Sequence, residues 1–98
     1  MGRKELRREY QQALIDAYYD MWVHQILDPL YEAFQRWKQG DLQHEELTEL
    51  IHKVHGENQK VYSFFTQSRD SIINSIKMDQ AWFTTWTENH PPPPGIEL

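Results

Sequence analysis

Cysteine is absent from this chain of 98 residues. That removes disulfides, thiolate nucleophiles and cysteine-ligated zinc from consideration, and it fits a cytoplasmic location. Glycine is scarce, and four of the five prolines stand together at Pro91–Pro94. A β fold needs turn residues at regular intervals, so the expected fold class is all-α. Long apolar runs are also missing: no stretch approaches the ~20 residues of a membrane span. The opening MGRKELRREY has charges with no apolar run behind them, unlike a secretory signal. Leu6 stands where an N-myristoylation motif wants Ser or Thr. There is no Gly-x-Ser-x-Gly, phosphate loop or Rossmann glycine pattern. No catalytic residue and no cofactor is assigned, and an enzyme is not the expected reading.

What is present is amphipathic and aromatic. Apolar residues make up 39% of the chain and aromatics 13%, too rich for a disordered chain. The net charge of -5 is unevenly spread. Residues 1–8 carry Arg3, Lys4, Arg7 and Arg8 against Glu5, a net of +3, whereas residues 9–57 carry -7. An acidic body lacks the broad basic face of a duplex nucleic-acid binder.

From Asp41 to Asn89 the apolar residues Leu47, Leu50, Ile51, Val54, Val61, Phe65, Ile72, Ile76, Phe83 and Trp86 recur mostly at three- and four-residue steps. Asn58, Ser68 and Asp79 act as polar members of the same series. That spacing predicts one helix face. The expected architecture is a long antiparallel helical hairpin, helix 1 about 3–38 and helix 2 about 42–88. Gly40 suits the left-handed position after helix 1, and Asp41 suits the N-cap of helix 2. Pro29 implies a kink or a break in helix 1. The polar run Thr66-Gln67-Ser68-Arg69-Asp70 offers Ser68 as a new cap. The alternative is therefore a three-helix bundle with a break near 66–70. The domain reading is one helical domain, 1–89, followed by a proline-rich, mobile tail, 90–98.

Helix 1 carries two apolar stripes. Leu6, Tyr10, Ala13, Leu14, Ala17, Tyr18 and Met21 make one; Ile15, Tyr19, Trp22, Val23 and Ile26 make the other. Two stripes call for two coverings. A continuous helix 2 of roughly 70 Å would also outrun a helix 1 of roughly 54 Å, leaving Trp82, Phe83 and Trp86 as an aromatic overhang. Both features predict a coiled-coil-like homo-oligomer. Its candidate interface residues are Trp82, Phe83, Trp86, Tyr19 and Trp22, with Asn58 as a polar seam residue that can set register.

Three clusters are candidates for chemistry. Glu49-x-x-His52, with His55, has the Glu-x-x-His form of di-iron bundles and could hold a divalent metal. Against this, Glu45, Glu49 and His52 fall about 140 to 200 degrees away from Leu47 on a helical wheel, facing away from the seam. His24 stands among Asp20 and Asp28 at four-residue spacing; a hydrogen-bonded histidine is the plain reading. Arg3, Lys4, Arg7 and Arg8 could touch phosphate or an acidic partner, and the plain reading is a solvated helix end. Pro91–Pro94 contains a P-x-x-P, plainly read as a helix stop. The expected function is non-enzymatic, acting through self-association and protein–protein interaction; metal binding at Glu49, His52 and His55 is the alternative.

Overall fold

The computed structural model describes residues 2–98. Among them the chain forms four helices and no strand: α1 (Arg3–Lys38), α2 (His44–Phe65), α3 (Arg69–Met78) and α4 (Gln80–Asn89). The fold is all-α. None of these helices is long and apolar enough to cross a membrane. The chain divides into two compact units. One comprises the residues up to Tyr18 together with Gln67–Leu98, and the other is Tyr19–Thr66. Helix α1 contributes to both.

Helix α1 continues through Pro29, so of the two expected alternatives, a kink or a break, the break does not occur. Proline removes a backbone donor that would have bonded the carbonyl four residues earlier. That residue is Gln25, which is exposed, so water can satisfy the freed carbonyl. The end of α1 follows the sequence reading closely. Gly40 has φ of 83°, the Asp41 N–H donates to the Arg36 carbonyl at 2.8 Å, and the Gly40 N–H donates to that of Trp37 at 3.1 Å. These are the two bonds of a Schellman motif, which needs a left-handed residue where glycine carries no Cβ penalty. Asp41 is thereby spent on closing α1 and does not cap α2. The N-cap is Gln43, with no side-chain bond.

The single helix expected over 42–88 is replaced by three. At Ser68 the backbone is extended, φ -61° and ψ 152°, which no α-helix can pass through. The Ser68 hydroxyl oxygen accepts the Ser71 N–H at 3.2 Å, satisfying an orphan donor of the new helix. The polar run at 66–70 thus outweighs the in-phase apolar spacing. A second interruption falls at Asp79, φ -81° and ψ 72°, where α3 ends and α4 begins. Tyr18 donates its hydroxyl to the Asp79 carboxylate at 2.9 Å.

In the first unit, α1 offers Tyr10, Leu14 and Tyr18, buried on the line that the first stripe predicts. Ile72, Ile73, Ile76, Trp86 and Ile96 complete the core. In the second unit the last part of α1 and α2 form a helical pair whose buried apolar residues are Ala33, Leu47, Val54 and Val61. Tyr19, Trp22, Phe64 and Phe65 stack there edge to face and tilted, with ring centroids 4.7 to 6.1 Å apart. A pair of helices can shield only one face of each, so this core is the thinner one.

Differences in burial predict unequal costs. Ile76→Ala, at a fully buried site, should destabilise by about 2–5 kcal/mol in urea unfolding. Ile51→Ala, at an exposed site, should cost under about 1 kcal/mol. Loss of the cap in Ser68→Ala should cost about 1 kcal/mol. Equal midpoints for the two isoleucine variants would contradict the burial of Ile76 and the exposure of Ile51.

Candidate functional site

The aromatic residues expected to overhang are packed within their own unit. Trp86 is 9% exposed, and Trp82 and Phe83 are half-buried. Trp86 lies 5.4 Å from Tyr10 and Trp82 lies 4.8 Å from Tyr18, ring centre to ring centre. Trp82, Trp86 and His90 stack in series along α4, one turn apart. The Tyr10 hydroxyl donates to the His90 carbonyl at 2.6 Å, and burial pushes its pKa up. An overhang requires one continuous helix over 42–88, and the breaks at Ser68 and Asp79 exclude it.

The proline-rich segment also packs. Pro93, Pro94, Gly95 and Ile96 make a turn closed by the Ile96 N–H on the Pro93 carbonyl at 3.0 Å, with Gly95 at φ 79°. Proline and glycine at the two central positions are the type II signature. The turn delivers Ile96 into the core, 5% exposed, and the Lys77 ammonium donates to the Leu98 backbone oxygen. A free extended tail is therefore replaced by a docked one.

The second unit carries the exposed apolar surface. On α1, Leu27, Tyr31, Phe34 and Trp37 are 41%, 65%, 43% and 44% exposed. They recur at three- and four-residue steps, which gathers them on one side of the helix. Tyr31, Phe34, Gln35, Trp37 and Lys38 line a surface depression of about 400 Å³. Tyr19, among the candidate interface residues, is exposed in this unit, whereas Trp22 is half-buried in the aromatic cluster. Asn58 is exposed and lines a depression of about 560 Å³ with His55, Gln59, Tyr62 and Ser63. Leu27 and Tyr31 fall outside both stripes read from the sequence. The signal that finds them is their own spacing with Phe34.

Glu49, His52 and His55 sit exposed on α2. Among the described residues no group of three or more His, Asp or Glu side chains is gathered in a way that could hold a metal ion. His24 is the polar site with defined geometry. Its Nδ1 lies 3.1 Å from Asp28 and its Nε2 lies 3.6 Å from Asp20. The hydrogen bond and charge of Asp28, then the charge of Asp20, raise its pKa above 6.5.

A raised native pKa means that the folded chain favours the protonated ring. This contribution is complete below pH 6.5, the unfolded value, and fades as pH rises through the native pKa. An NMR titration should place His24 above 6.5. Asp28→Asn should lower it more than Asp20→Asn. An unshifted His24, or the reverse order, would contradict the geometry.

In comparisons with known proteins, no family model, curated protein or solved structure matches the chain.

Proposed function

We propose that the chain works as a self-associating helical module, and that the second unit pairs with the same unit of another copy through the outer face of α1. The observation that supports this reading is the exposed row Leu27, Tyr31, Phe34 and Trp37 on a helix already covered on its other side. Contiguous exposed apolar surface of this kind marks an interaction site. A second helical pair is the simplest cover, because two such pairs make a four-helix bundle.

Charge supports a second copy as the occupant. Asp20 and Lys38 lie about five turns apart on one line of α1, beside the apolar row. An antiparallel pairing centred on Pro29 sets Asp20 against Lys38 at both ends. The same register sets Leu27 against Tyr31. A two-fold interface makes each such contact twice.

Native mass spectrometry should find a dimer. Tyr31→Glu with Phe34→Glu should convert it to a monomer with unchanged far-ultraviolet circular dichroism. Lys38→Asp should weaken association by about tenfold, as two attractive pairs become repulsive. Adding Asp20→Lys to that variant should restore it. A wild-type monomer, or a dimer indifferent to both sets of substitutions, would sink this proposal.

A further inference from the structure

The first unit brings together cations that lie far apart in the sequence. Lys4, Arg7, Arg8 and Gln11 follow one another at steps of three, one and three residues along α1, on one side of the helix. With Arg69 and Asp70 from the start of α3 they line a depression of about 420 Å³. Arg7 also borders a second depression of about 420 Å³, beside Arg3 and the docked Gly95–Leu98 segment.

Two features of this cluster have no acceptor to account for them. Among the described residues, the ion pairs formed are those of His24, so Lys4, Arg7, Arg8 and Arg69 have no carboxylate partner. Asp70 lines the depression without pairing. The Arg69 guanidinium is held by one bond, Nη2 to the Gln12 side-chain oxygen at 2.7 Å. Its Nη1 is shut away from solvent and bonds nothing. Buried polar atoms nearly always have a partner, so the Arg69 guanidinium is left under-satisfied at the edge of the depression. Four cations against one carboxylate ask for an anion.

We infer that the depression between Lys4, Arg7, Arg8 and Arg69 is a binding site for a phosphate group, as free phosphate or as a small phosphate ester. Phosphate supplies several acceptor oxygens and up to two negative charges. The planar fork of arginine bonds two of those oxygens at once. The occupant is small because the positive charge is local. The whole chain is net -5, so a long polyanion that ran past the cluster would meet repulsion. This inference is independent of self-association, because the cluster belongs to the first unit and the apolar row to the second.

The test is isothermal titration of the full chain at low ionic strength with inorganic phosphate and, separately, phenyl phosphate, against chloride. Binding of both means that the site reads the phosphate group alone. Preference for the ester means that the carrier is read as well. Either result supports the site, provided that Arg69→Gln and Arg7→Gln with Arg8→Gln each weaken binding by at least about tenfold, while Arg36→Gln in the other unit does not. Circular dichroism of each variant separates lost binding from lost folding, and the two variants remove different cations. No heat beyond that of chloride, equal binding by the folded variants, or capture of duplex DNA that phosphate does not displace would overturn the site.

Discussion

The hydroxyl of Ser68 holds the break on which the rest of the first unit depends. By accepting the Ser71 N–H it stabilises an extended residue between α2 and α3. The chain beyond it can then fold back as two short helices. Ile72, Ile73 and Ile76 of α3 and Trp86 of α4 share a core with Tyr10, Leu14 and Tyr18 of α1. A second interruption at Asp79 frees the angle between α3 and α4, and the Tyr18 hydroxyl ties down that corner. Each bond is modest alone, about 1 kcal/mol. Their effect lies in selecting which apolar residues can be buried together.

The two units solve the same problem unequally. Helix α1 is apolar along its length, and its first part is covered by two helices and by Ile96. Its last part is covered by α2 alone. The exposed row of Leu27, Tyr31, Phe34 and Trp37 is the direct consequence, since one helix shields one face. A surface for association arises wherever a long amphipathic helix has more apolar sides than neighbours. In the pairing of two copies that we propose, Asp20 and Lys38 at the ends of this row give direction to a contact whose apolar part has little.

Two charged clusters among the described residues differ in their physics. His24 is exposed between two carboxylates, so its shift is local and screened by solvent. The cations around Arg69 outnumber the one carboxylate beside them, Asp70, and one guanidinium nitrogen is sealed from water. The first arrangement is satisfied by its own helix. The second carries more positive than negative charge.

Much of the architecture was legible in the residues themselves. Helical periodicity without β-turn residues specified an all-α chain. Gly40 marked the end of α1 because a left-handed residue there favours glycine, and the first stripe identified Tyr10, Leu14 and Tyr18 as core. Ser68 was visible as a cap, yet the phase of the apolar spacing pointed to one helix, because phase survives a break whenever the flanking segments happen to be in register. What only the tertiary structure decided was which partner each stripe meets. Trp82 and Trp86 moved from an imagined overhang to the rings of Tyr18 and Tyr10. Ile96 moved from a tail to the core, and Arg69 joined Lys4, Arg7 and Arg8. Spacing along a helix records which side a residue is on, and only the return path of the chain determines what lies opposite it.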